Sequence, residues 1–251
     1  MSDREAGNNI NRQLLDEKKS SLQQYKDLVL GEDSFLSLIR YELITLFMSG
    51  LPGALGLGLR KIFYPKLLSK VCRNVIFGRN VSIRHGCKIE LGNNVIIDDN
   101  VLLDAKGDTN QGIIIGDNTL ISRNSILSCK GGDIEFGENG ALGINSLIHA
   151  VQGSNVNIGN DVLVGAYTYF IGGGSYHTQK LDTPFKQQGG ISKGGVTVKD
   201  NVWIGSHVQL LDGVSIGTGC IIGAGAVVTK SVPDYAVSAG VPSAIIKTRK
   251  E

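Results

Sequence analysis

Aromatic side chains are scarce, only 6% of residues, and proline occurs five times. A core of stacked rings is excluded, so the packing has to be aliphatic. An excess of one charge is also missing: the formal net charge of +2 sets up no long-range field to gather nucleic acid, and no basic patch interleaved with aromatics occurs. Nucleic acid is therefore not an expected partner. The four cysteines, Cys72, Cys87, Cys129 and Cys220, show no C-x-x-C spacing, and the first fifty residues carry no charged-then-apolar secretory leader. A reducing cytoplasm is the expected location. What the chain does have is glycine, 34 of 251 residues, beside a hydrophobic content of 41%. That combination calls for many tight corners around an aliphatic core, and it directs attention to internal repeats.

A run near the end, VKDNVW, IGSHVQ, LLDGVS, IGTGCI, IGAGAV, VTKSVP, repeats every six residues. Val198, Ile204, Leu210, Ile216, Ile222 and Val228 lead the hexads, and four positions after each stands a small or β-branched residue. Helical offsets of three, four and seven are absent, so a long amphipathic helix is excluded. Each hexad reads as one short strand and one bend. Traced backwards, the leading residues form triplets: Val71, Phe77, Ile83; Leu91, Ile97, Leu103; Ile115, Ile121, Leu127; Phe136, Leu142, Ile148; Ile158, Val164, Phe170; then the two triplets of the terminal run. Every break in the spacing follows a third member. The pattern predicts an all-β solenoid of about seven triangular coils, with all insertions leaving from one corner. At about 4.8 Å per coil the prism is roughly 33 Å tall.

The outward residues before the leading ones read Ile76, Ile96, Leu120, Ala141, Leu163, Trp203, Ile221 on one face and Ser82, Leu102, Ile126, Leu147, Tyr169, Gln209, Val227 on another, while the remaining face is polar or glycine. Two apolar outer faces that meet at an edge call for a partner. A closed ring of three identical chains, a homotrimer, satisfies both.

The segment VTVKDNVWIGSHVQLLDGVSIGTGCIIGAGAVVTKSVPDYAVSAGVPSAIIK (196–247) closely resembles the hexapeptide-repeat acyltransferases, especially the galactoside and maltose O-acetyltransferase type, and the hexads cover about 71–233. The resemblance implies a left-handed parallel β-helix, trimers with active sites between neighbouring prisms, acetyl-CoA as co-substrate and no metal. It also implies that one histidine on a projecting loop is the general base. Here that is His177, in GGGSYHTQKLDTPFKQQGG (172–190) within loop 171–197, where related loops often read D/N-H or T-G-H and this one reads G-S-Y-H. An imidazole suits removal of a hydroxyl proton near neutral pH. Trp203, Ser206, Ala224, Thr229 and Lys230 match positions that line the coenzyme A groove. Lys247 or Arg249 supplies the basic charge that the family often places where Ala244 stands. His149, directly after Ile148, and Tyr176 and Asp182 on the loop are candidates for the acceptor side. His207 in IGSHV reads as a corner residue and His85 as an exposed residue of the first coil, so three imidazoles do not converge on a zinc. Cys87 and Cys220 fall on inward small-residue positions, against thiol catalysis.

Residues 1–70 precede the repeats as a helical extension, and 234–251 follow as a short tail. An amphipathic helix is expected around NRQLLDEKKSSLQQYKDLVL (11–30). LITLFMSGLPGALGLGL (43–59) has no charge, contains Pro52, and is followed by Arg60, Lys61, Lys66 and Lys70. It is at the lower limit of about 17 residues for a bilayer span. Two readings stand: a shallow membrane contact through residues 36–66 with basic residues at the headgroups, peripheral at the inner face of the cell membrane, or a helical hairpin packed under the trimer. By the resemblance, the function is acetyl-CoA-dependent O-acetylation of a sugar hydroxyl in a surface polysaccharide or its lipid-linked or nucleotide-linked precursor. The alternatives are N-acetylation of a nucleotide amino sugar and a non-catalytic trimeric β-helix scaffold.

Overall fold

In each hexad the leading aliphatic residue points inward and its neighbours outward. The computed structural model, which describes residues 19–249, stacks these short strands into three parallel sheets. The triplets read from the sequence define the register: Phe136 lies between Ile115 and Ile158 on the first sheet, Ile204 between Val164 and Ile222 on the second, and Ile148 between Leu127 and Phe170 on the third. These side chains form one continuous interior, with Phe77, Phe136 and Phe170 fully enclosed. The insertions all leave between the third sheet and the first, as expected.

The solenoid goes beyond seven coils. Val232 bridges to Ile216, and the strand Ala236–Ala239 joins the second sheet beside Ile221–Ile222. The strand Ala244–Thr248 then turns back antiparallel on Ala236–Ala239. Residues 234–249 thus begin an eighth turn.

Each coil turns its first two corners with a residue in the left-handed conformation. From first to second sheet these are Asn74, Asn94, Asn118, Asn139, Asp161, Asn201 and Gly219; from second to third, Asn80, Asn100, Asn124, Asn145, Tyr167, His207 and Gly225. Asparagine tolerates positive φ best among residues with a side chain, and stacking adds a second gain. The amide of Asn74 donates to Asn94 at 3.0 Å, Asn94 to Asn118 at 2.9 Å, and Asn118 to Asn139 at 3.0 Å. Inside the corners, buried hydroxyls donate to glycine carbonyls of the next coil, Thr119 to Gly137 at 2.9 Å and Ser125 to Gly143 at 3.1 Å.

Helices α1 (Ser21–Val29), α2 (Phe35–Met48) and α3 (Gly53–Phe63) precede the coils. Ser20 and Ser34 cap α1 and α2 by accepting from the amides of Gln23 and Ser37. The expected helix of 11–30 is seen as α1; residues 11–18 lie outside the described residues. The uncharged stretch 43–59 is broken at Ser49–Pro52, which makes a hairpin of α2 and α3. Arg60 is not a headgroup ligand. It is 3% exposed, and its guanidinium donates to the carbonyls of Phe77 (3.0 Å), Met48 (3.1 Å) and Leu51 (2.8 Å), three acceptors freed by the break and the first coil.

Two further expectations are corrected. His85 is buried, because α1 covers the first coil: its Nε2 lies 3.1 Å from the Asp27 carbonyl and its backbone amide donates to Val29. Cys87 is exposed, because the 3-10 turn Gly86–Lys88 interrupts the hexad there; Cys220 is buried as expected.

The corner ladder predicts that Asn118→Ala destabilises the protein by about 2 to 3 kcal/mol, through the left-handed penalty and two lost hydrogen bonds, and Asn118→Gly by about 1 kcal/mol. The order of the two melting temperatures checks this. Burial lowers the pKa of His85, with Asp104 opposing and Lys106 adding to the shift. The unfolded chain therefore binds the proton more readily. The contribution of His85 is complete above its unfolded pKa of about 6.5 and is lost as the pH falls below that value. Amide exchange of residues 19–33 should accelerate from about pH 7 to about pH 5, while that of the central coils stays slow.

Candidate functional site

The longest insertion separates Gly172, at the end of the third-sheet strand Tyr169–Gly172, from the first-sheet strand Val196–Val198. Its base is a small antiparallel pair, Ser175–Tyr176 with Gly190–Ile191. His177 follows directly, exposed, with its backbone amide donating to the Gly189 carbonyl at 3.1 Å. The loop beyond it is organised by Gln188, a buried residue. Its amide group donates to the carbonyls of Lys180 (2.8 Å) and Thr183 (2.6 Å) and accepts from the Lys180 amide (3.2 Å). Asp182 accepts from the Thr183 hydroxyl at 3.2 Å, and no hydrogen bond joins it to His177 among the described residues. Tyr176 is exposed at the strand end.

The return of the loop is clamped from the coil above. The carboxylate of Asp212, itself buried, accepts from the amides of Lys193 (2.8 Å) and Gly195 (2.7 Å). Gly195, at φ 88°, passes so close to Asn155 that a Cβ would fall 1.8 Å from its carbonyl oxygen. The hydroxyls of Ser154 and Ser192 tie the same point to the coil below at 2.8 Å. The imidazole of His177 thus stands on a loop fixed at its root and braced internally.

Beneath the loop the third sheet carries a polar column on its outer side. Arg84, Asp104, Ser128 and His149 are in register on successive strands, with Ile171 above them at the loop root. His149 is half-buried. Burial lowers its pKa, the nearby Lys130 lowers it further, and a bond to the Ser128 backbone opposes this, so the ring is neutral at neutral pH.

Of the coenzyme candidates, Trp203, Ser206 and Ala224 lie elsewhere on the perimeter, while Thr229 and Lys230 follow the third sheet one coil above the loop's return. Trp203, 60% exposed, projects from the second sheet between Leu163 and Ile221. Ser206 and Ala224 are at the corner between the second and third sheets, next to the Tyr167 and His207 rings, which stack 4.9 Å apart. Thr229 and Lys230 are exposed just after the last third-sheet strand, and Lys247 is exposed on the final hairpin. Within one chain, the loop therefore leaves from the corner between the third and first sheets, whereas Trp203, Ser206 and Ala224 occupy the second sheet and its far corner. Among the described residues no group of three or more potential metal ligands occurs.

Sequence reasoning missed Gln188, Asp212 and the corner ladders. The ladders had a signal in the recurring G-x-N and D-N of the bends, and Asp212 in L-L-D-G. Gln188 had none.

Residues 195–230 match the family model "Bacterial transferase hexapeptide (six repeats)". The galactoside O-acetyltransferase of Escherichia coli is 36% identical over 118 residues, 47% of this chain and 55% of that protein. "Probable acetyltransferase Rv3034c" of Mycobacterium tuberculosis is 34% identical over 119 residues, 47% of this chain and 38% of that one. The chain thus spans about half or less of the length of these relatives. A solved mutant of AntD, an N-acyltransferase from Bacillus cereus in complex with dTDP and coenzyme A, has 22% identity and a TM-score of 0.53, covering 81% of this chain and 93% of that one. It shares the fold.

Replacing Gln188 with Ala removes three bonds inside the loop and none in the coils. Amide exchange across 177–189 should rise at least about tenfold, with the melting temperature nearly unchanged.

Proposed function

We propose that this hexapeptide-repeat protein is an acetyl-CoA-dependent acyltransferase, working as a homotrimer, that transfers acetyl to a sugar hydroxyl in a surface polysaccharide or its lipid-linked or nucleotide-linked precursor. The observation that carries the reading is the exposed imidazole of His177, held on a braced loop that rises from a hexapeptide solenoid over the polar column ending at His149. The similarity to an O-acetyltransferase acting on a galactoside supports a sugar hydroxyl as acceptor. The four free cysteines fit a reducing cytoplasm.

The residues that would hold the thioester fit an extended, flexible arm better than a compact ligand. Trp203 offers an exposed apolar plate, and the small corner residues around Ala224 leave the backbone open: a Cβ on Gly225 would meet nothing within 4 Å. Lys230 and Lys247 place positive charge towards the end of the solenoid, suited to phosphates. The bound co-substrate supplies an activated acyl carbonyl. His177 takes the proton from the acceptor hydroxyl as that oxygen forms its bond to the carbonyl carbon. The carbon–sulfur bond breaks, and the thiolate leaves with the proton that His177 returns. His149, neutral and half-buried below the loop, and Tyr176 face the acceptor.

The separation of His177 from Trp203 and Ala224 around one prism supports a site shared by two chains. The exposed apolar residues of the second and third sheets, Ile96, Leu163, Trp203, Ile126 and Tyr169, supply the surface that a trimer would bury. Two chains then meet with the loop of one beside the second sheet of its neighbour.

Loss of a general base slows turnover by about two to four orders of magnitude. His177→Ala should lower kcat by that factor in coenzyme release with a panel of sugar acceptors, while coenzyme A still binds in calorimetry. Unchanged turnover would remove His177 from the chemistry. Absence of coenzyme binding by the wild type would favour a scaffold, and turnover with amino sugars alone would move the reaction to nitrogen.

A further inference from the structure

Helix α2 carries apolar residues on its exposed side as well as on its buried one. Leu38 and Ile44 face the protein body, yet Leu36, Leu43, Leu46 and Phe47 stand exposed on the other side, Leu36 at 79% and Leu46 at 74%. On α3, Leu55 and Ile62 are exposed as well. Large apolar side chains exposed together mark a surface that another body covers, and these residues, on two consecutive helices, have no partner among the described residues. The surface is also rigid, because buried Arg60 bonds the carbonyls of Met48 and Leu51 and so fixes the two arms against each other and against the first coil.

Charge decides what covers it. Residues 35–70 contain the cations Arg40, Arg60, Lys61, Lys66 and Lys70 against one anion, Glu42, in a chain whose whole net charge is +2. Arg60 is buried and Lys70 lies 3.9 Å from Glu90, which leaves Arg40, Lys61 and Lys66 exposed beside the apolar arms. Glu42 is engaged by the Tyr25 hydroxyl. A second copy of this surface would bring like charges together. An anionic bilayer would meet apolar side chains with hydrocarbon and cations with headgroups. Spanning is excluded for this element: 14 residues of α2 rise about 21 Å, short of a hydrocarbon core of about 30 Å, and among the described residues no helix is long and apolar enough to cross a membrane.

We propose that the α2–α3 hairpin is a monotopic seat on an anionic phospholipid surface, with Leu36, Leu43, Leu46, Phe47, Leu55 and Ile62 in the interfacial layer and Arg40, Lys61 and Lys66 at the headgroups. The seat is separate from the solenoid site and stands whether or not that site transfers acyl groups. The experiment is co-sedimentation of the full chain with vesicles of phosphatidylcholine alone or enriched in phosphatidylglycerol. Wild type binds the enriched vesicles at least about tenfold more tightly, and the preference shrinks as salt rises. Leu46→Ser with Phe47→Ser lowers binding at least about tenfold on both vesicles without altering the molecular mass measured by light scattering. Lys61→Gln with Lys66→Gln lowers the preference for phosphatidylglycerol at least about tenfold. Wild type that stays in the supernatant with both vesicles overturns the proposal. A Leu46→Ser, Phe47→Ser protein that changes its oligomeric state overturns it too, by assigning the face to a contact between chains.

Discussion

Stacking at one strand spacing is the constraint on which the whole molecule rests. Coils can repeat at about 4.8 Å only if each corner turns the same way at the same height, and this chain does it by placing a residue in the left-handed region twice per coil, an L-residue in the first six coils and glycine in the seventh. That conformation costs about 1 to 2 kcal/mol for an ordinary side chain. Asparagine lowers the cost and converts the stack into a ladder of amide hydrogen bonds along the lower coils. Inside, the leading aliphatic residues align because the corners align, and the outer columns inherit the same register. A polar column such as Arg84, Asp104, Ser128 and His149 exists because the coils allow no slip.

The same regularity decides where chemistry can be placed. Corners between the first and second sheets, and between the second and third, are filled by the ladders, so every insertion leaves at the third corner. The long loop with His177 leaves there, above His149. The upper part of the second ladder changes character, from asparagine to Tyr167, His207 and then Gly225, beside Ser206 and Ala224. The loop proposed for the acceptor and the coenzyme candidates Trp203, Ser206 and Ala224 therefore sit on different edges of one prism, and symmetric assembly is the economical way to join them.

Much of this was legible in the sequence because a period of six is unambiguous: each leading residue from Val71 to Val228 occupies its expected sheet, and the triplet breaks mark the insertion corner. What was not legible depended on contacts far apart in the chain. His85 is buried by a helix 58 residues away, and nothing in its own hexad announces this. Arg60 looked like one of four basic residues after an apolar stretch, but carbonyls freed by the break at Ser49–Pro52 draw it inward. Cys87 turns outward because one 3-10 turn breaks the hexad phase. The turn after Val228 was hidden by SVPDYAVSAG, which leaves the hexad pattern while still adding a strand to the second sheet. Gln188 lies in a segment without periodicity, where only the folded loop reveals which polar residue is its hub.

The central claim is that His177 of one chain works with the second-sheet edge of another. Subunit mixing tests it directly: His177→Ala, which lacks the base, is refolded or co-expressed with Ala224→Trp, whose corner is blocked. Each variant alone should be nearly inactive, and the mixed assemblies should regain turnover, because some sites combine an intact loop with an intact corner. Mixed assemblies as inactive as the two parents would contradict the account.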